Sequence, residues 1–312
     1  MLSRVADAIY WSSRYVERAE NVARFIDVNM NLMLDSQAVK SSGWESLVMV
    51  TGDQALFAER YGKVTPEAVT QFLTFDREYM SSILASVAAA RENARTVRDI
   101  ISREMWQELN EFYLMVVQAA RPGVSPEDLT DFYDRVKRAG IYFEGVTDST
   151  LSRGEAWHFA RLGRMLERAD KTSRILDVKY FMLLPAGGVG TTVDQVGWAA
   201  LLSSASALQM YRQHYHVMSP ANVSQFLLLD RNFPRSIAYC VREAEESLNA
   251  IMGTTGGRYR CEAERLLGQL RARLDYATID QIVSSGLHEY VDDLQGALND
   301  IGTAIHEQFF QL

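Results

Sequence analysis

The chain has 312 residues, 47% hydrophobic and 23% charged, enough apolar material for a sizeable core in one large domain or two. Its formal charge of −8 argues against non-specific nucleic-acid binding, which needs a basic face. No apolar run approaches the roughly 20 residues of a membrane span, so neither nucleic acid nor membrane is expected as a partner.

Only six prolines, with abundant Ala, Leu, Arg, Glu and Met, make helix the expected state. The opening MLSRVADAIYWSSR carries Arg4 and Asp7 where a signal peptide would be apolar, so a cytoplasmic protein is expected. One long helix is predicted from Ser3 towards Val39, because Tyr15, Ala19, Val22, Ala23 and Ile26 recur at helical spacing. Thr65-Pro66-Glu67 starts another, with a capping hydroxyl before a proline at the first helical position. Residues 88–119 hold no Pro or Gly and predict one long helix or two abutting ones. Ser125-Pro126-Glu127-Asp128 and Ser219-Pro220 repeat the cap signal, while 184–195 and 253–257 read as loops rich in glycine. No stretch alternates in the manner of a strand, so the fold class is all-α. Cys240 and Cys261 form no CxxC and match no zinc spacing, and they read as buried free thiols in a reducing compartment.

The chain repeats itself. Residues 14–28, RYVERAENVARFIDV, match 164–178, RMLERADKTSRILDV, at Arg14/Arg164, Glu17/Glu167, Arg18/Arg168, Ala19/Ala169, Arg24/Arg174, Asp27/Asp177 and Val28/Val178. Glu20 faces Asp170, so an acid is kept there. Further on, TPEAVTQFLTFDREYMSSI (65–83) matches SPANVSQFLLLDRNFPRSI (219–237), and the offset grows from 150 to 154. The added residues fit the loop at 184–195. A single domain built by internal duplication, with repeats 1–147 and 148–312 forming a pseudo-two-fold helical bundle, is the expected architecture.

Arg14, Glu17, Arg18, Asn21 and Arg24 share one helical arc opposite the apolar stripe, and the second copy places Arg164, Glu167, Arg168, Lys171 and Arg174 there. On a solvated face, pairs such as Arg14–Glu17 and Glu20–Arg24 would be worth only about 0.2–0.5 kcal/mol each, too little to hold their identity in both copies. Two readings remain. In one, the charges form a buried ionic network that knits the halves together. In the other, they line a central polar cleft, with the guanidinium groups holding a carboxylate or phosphate. The candidate cluster is Arg14, Glu17, Arg18, Glu20, Arg24 and Asp27 with Arg164, Glu167, Arg168, Asp170, Arg174 and Asp177.

A second row, Arg91, Asn93, Arg95, Arg98 and Glu104, reads as a charge-laced exposed helix. Residues 242–260 lack it, so any function there would belong to the first half alone. Glu155 and His158 have the Glu-x-x-His spacing of di-iron bundles, but the first half holds no equivalent. His214 and His216 are split across a helix, and no P-loop or nucleophile elbow occurs. No metal or cofactor is expected.

RYVERAENVAR (14–24), ARENARTVRDIISREMW (90–106) and RLGRMLERADKTSRILDVKY (161–180) resemble the Alpha-E family, a bacterial all-helical family named for its Glu-Arg motif. The resemblance covers essentially the whole chain. It implies a companion of ATP-grasp-type amide ligases and transglutaminase-like proteins, and hence a protein partner and a peptide or small anionic ligand. Three roles stand open on this sequence: an accessory or substrate-binding subunit, an enzyme using Glu17 or Glu167 as acid/base with arginines clamping an anion, or a scaffold.

Overall fold

A computed structural model describes residues 1–35, 42–121, 126–183, 192–255 and 257–311. The described residues are all-α. The first half holds α1 (Ser3–Asp35), α2 (Ser42–Thr51), α3 (Gln54–Tyr61) and α4 (Pro66–Thr70), the last continued by a π-helical turn at Gln71–Phe75. It goes on through α5 (Ile83–Thr96), α6 (Arg103–Ala119) and α7 (Pro126–Thr150). Then come α8 (Glu155–Leu183), α9 (Thr192–Ser204), α10 (Leu208–His214), α11 (Pro220–Leu229) and α12 (Ile237–Met252). Helices α13 (Glu262–Tyr276), α14 (Ile279–Ser285) and α15 (Leu287–Phe309) close the chain.

The start signals act through side-chain caps. Thr65 Oγ1 accepts from the Ala68 amide and Ser219 Oγ from the Asn222 amide, each ahead of a proline that needs no amide partner. Ser82 and Ser236 cap α5 and α12, and each hydroxyl also donates to the carbonyl of an aspartate six residues back, Asp76 and Asp230. In the same stretches Phe72 stacks on Tyr79 and Phe226 on Phe233. Gly253 ends α12 at φ +63, in the left-handed region that glycine enters without a Cβ penalty.

The span 88–119 is two helices, α5 and α6, separated by turns at 97–102, with Ser102 capping the second. The expected cap at Ser125, the inserted loop at 184–191 and the predicted continuation of α1 through 36–39 lie outside the described residues. Both cysteines are free, but only Cys240 is buried; Cys261 is half-exposed at the start of α13, against the expectation of two buried thiols. Burial pushes the Cys240 thiol up to about 12, so it packs as a small apolar group. No helix among the described residues is long and apolar enough to cross a membrane.

Helices α1 and α8 form the central pair, with α5 and α7 packed on α1 and α12 and α15 on α8. Gly163 lies against Tyr10, and seven residues on Glu17 meets Arg168, so the two helices run in the same sense. Ala19, Ala23 and Ala169 on these two helices are fully buried. Ile26, Leu162, Leu176 and Val241 extend one continuous core around them. This places the charged arc of α1 opposite that of α8, inside the protein.

Candidate functional site

The repeated glutamates are among the most buried side chains in the molecule, Glu17 at 2% exposure and Glu167 at 0%. They pair crosswise. Arg168 clamps Glu17 with two hydrogen bonds, Nε to Oε1 at 2.9 Å and Nη2 to Oε2 at 2.8 Å. Arg18 clamps Glu167 in the same fork-to-fork manner at 2.6 and 3.0 Å. Each helix therefore supplies the acid for the other's base. Fork geometry matches the guanidinium to the carboxylate and strengthens both bonds relative to neutral pairs.

Additional donors close each knot differently. At Glu17, Asn21 donates at 2.8 Å and Arg235 at 3.1 Å, and Arg235 Nη2 reaches on to Glu20 at 2.5 Å. Arg24 also donates to Glu20, and Glu144 takes a further bond from Arg168 at 2.8 Å. At Glu167 the extra donor is Arg14, at 2.8 Å, with the Lys171 ammonium 3.6 Å away. Asp170 pairs with Lys171 at 3.0 Å and Arg174 at 2.9 Å.

Burial alone would push the Glu17 carboxyl up. The charges of Arg168 and Arg235 overcome it and hold the group well below the usual carboxylate range. Glu167 is held down the same way by Arg18, Arg14 and Lys171 against its burial. Asp170 is lowered by Lys171 and Arg174 despite burial. The Arg168 guanidinium is raised, since Glu17 and Glu144 outweigh its desolvation. These carboxylates carry charge at any pH near neutrality and hold no proton to give.

The structure therefore separates the expected residues. Arg14, Glu17, Arg18, Glu20, Arg24, Glu167, Arg168, Asp170 and Arg174 join one interhelical cluster. The arc faces a neighbouring helix rather than solvent. Of the two local pairs, Glu20–Arg24 forms at 2.5 Å, whereas Arg14 turns away from Glu17 and pairs across the interface with Glu167. Asp27 pairs with Lys137 and Asp177 with His288, each outside the central knot. Arg164 turns towards Glu144 and Asp148 on α7, at 3.4 and 3.8 Å. Arg91, Arg95 and Arg98 stay on the outer face of α5 and its following turn, with Arg91 and Arg95 on Glu92 and both Arg91 and Arg98 over Trp106. Asn93 lies on the same helix, and Glu104 is exposed in the first turn of α6.

Sequence reasoning missed Arg235 and Glu144. Arg235 stands where the first repeat has Ser81, so a difference between the copies was its signal; Glu144 had none. Beside the sealed knot one cavity opens, lined by Arg18 and Lys171 but by neither glutamate. Among the described residues no three His, Cys, Asp or Glu side chains gather as a metal cluster.

Comparison with known proteins gives a match over residues 1–310 to the family model Alpha-E, described as a predicted alpha-helical domain with a conserved ER motif. The chain is also similar to an uncharacterized protein of Mycobacterium bovis, Mb2597, at 23% identity over 97% of this chain and 36% of that protein. An uncharacterized protein of Mycobacterium tuberculosis, Rv2567, aligns over the same shares at 22% identity. The chain thus spans about a third of the length of these relatives. No solved structure matches.

Proposed function

The chain belongs to the Alpha-E family, and from that premise we propose that it is a non-catalytic accessory subunit of an ATP-grasp-type amide ligase, binding the ligase or its peptide substrate. One observation carries the reading: Glu17 and Glu167, the acid/base candidates of the enzyme alternative, are sealed, doubly clamped and held in the charged form. General acid–base work requires a group that exchanges its proton near the working pH and reaches the substrate. Neither glutamate meets that requirement. The Glu-Arg pairs instead serve as an internal clasp that fixes how α1 and α8 meet, leaving the outer helices free to present a surface.

The coverage of the relatives supports the same reading. A segment like this chain is about a third of each mycobacterial protein, so there it works beside covalently attached neighbours. Tagged protein purified from its native cell is expected to enrich an ATP-grasp-type ligase or a transglutaminase-like protein. If repeated purifications with mild crosslinking enrich neither, the accessory role is wrong.

A further inference from the structure

The two knots differ by one side chain, and that difference leaves a hole. Ser82 and Ser236 make the same cap and the same bond to an aspartate carbonyl, so the residues just before them, Ser81 and Arg235, hold matching positions. Arg235 fills its side by reaching Glu17, Asn21 and Glu20. Ser81 is too short to do so. The space it leaves is the cavity that opens beside Arg18 and Lys171, with Thr51, Tyr79 and Ser81 on its wall.

The charge balance differs as well. The Glu17 side sets Arg168, Arg235, Arg24 and Arg164 against Glu17, Glu20, Glu144 and Asp148. The Glu167 side sets Arg14, Arg18, Lys171 and Arg174 against only Glu167 and Asp170. Asp53 is the further acid near this wall, and it accepts a hydrogen bond from the Tyr79 hydroxyl at 2.7 Å. Counting it still leaves the cavity side short of negative charge. Arg18 spends Nε and Nη2 on Glu167, and no hydrogen bond from its Nη1 is made among the described residues. A half-buried cation with an unspent donor edge is a ready partner for an anion.

We infer that this cavity binds a carboxylate head group, held by the free edge of Arg18 and the Lys171 ammonium, with its apolar chain against Val22, Phe25 and Leu47. The inner chamber offers about 30 Å³ to water centres. A single water needs roughly 10–15 Å³ on that measure, so the enclosed part takes only a small head group and the attached chain lies towards the opening. The apolar lining continues through Val50 and Leu73, which suits a branched aliphatic substituent. The carboxylate could belong to a free small acid or to a peptide C-terminus. The inference concerns the isolated chain, so it does not stand or fall with the protein partner.

The test is a methyl NMR titration of the wild-type protein in carboxylate-free buffer. The probes are N-acetylleucine, the tripeptide Gly-Gly-Leu, and the C-terminal amide of each. At least one acid is expected to bind at least tenfold more tightly than its amide and to move the methyl resonances of Val22, Leu47 and Val50. An acid that binds only as the free amino-acid derivative assigns a small metabolite, and one that binds only as tripeptide assigns a chain terminus. Binding of neither acid at millimolar concentration, equal binding of acid and amide, or shifts confined to other methyl groups would each overturn the site. Lys171→Asn, which installs the residue found opposite at Asn21, and Ser81→Leu, which fills the hole, should each weaken the acid at least tenfold. Wild-type affinity in a folded variant of either kind also overturns it.

Discussion

Glu17 and Glu167 each give up hydration for a full set of charged donors, and the balance at such sites is asymmetric. An intact buried pair contributes modestly, because desolvation cancels most of the attraction; removing one member leaves an uncompensated buried charge. Glu17→Gln would take the forked partner from Arg168, leaving it Glu144 alone, and one of two acids from Arg235, while Glu167→Gln would strand Arg18 and Arg14. Each is expected to cost about 3–5 kcal/mol, read as a lower urea midpoint. A change under about 1 kcal/mol, the range of exposed pairs, would contradict the sealed network. The importance of these charges was legible because they recur in two copies while Tyr15/Met165 and Phe25/Ile175 differ. Their partners were not legible. The spacing of Arg14 and Glu17 is a local rule, but a long arginine can reach a carboxylate on another helix, and tertiary packing chose that one.

At the scale of the helix, the contact between α1 and α8 depends on a missing side chain. A Cβ built on Gly163 would lie 2.4 Å from the Tyr10 carbonyl oxygen, and backbone cannot swing aside as a flexible side chain does. Gly163→Ala should gain about 1 kcal/mol of helix propensity and still lower stability, because forcing packed helices apart costs roughly 1–3 kcal/mol. Equilibrium denaturation decides between the signs, and a net stabilisation would mean the helices are not in contact there. Helix starts were readable from Thr65 and Ser219, since capping is local chemistry. The division of 88–119 was left open by a segment free of Pro and Gly. Ser102 caps α6 there, with Ile101 and Met105 buried on either side of it, so the break is settled by packing as much as by propensity.

For the whole molecule, the lowered carboxylates make stability depend on pH in a defined direction. An unfolded glutamate takes up its proton near pH 4.3, whereas Glu17 and Glu167 in the native protein resist protonation to much lower pH. Between those values the unfolded chain binds more protons, so the network's contribution is fully present above about pH 5 and is lost as the pH falls. Urea midpoints measured from pH 7 down to pH 3 should fall more steeply for the wild type than for the Glu17→Gln/Glu167→Gln double variant. Parallel curves would show that these groups are not the source.

The caps at Ser82 and Ser236 and the ring stacks of Phe72 on Tyr79 and Phe226 on Phe233 occur at aligned positions of the sequence. By itself the sequence determined the helical class, several helix starts, the family and most of the charges that meet between α1 and α8, because capping, periodicity and repetition are written in neighbouring residues. Only the tertiary structure decided that the charged arc is buried, that acid and base are exchanged between helices, and that Arg235 closes one knot while Ser81 leaves the other open. Those outcomes depend on which residues meet across about 150 or more positions of chain, and electrostatics in a dry interface is set by that company rather than by spacing along a helix.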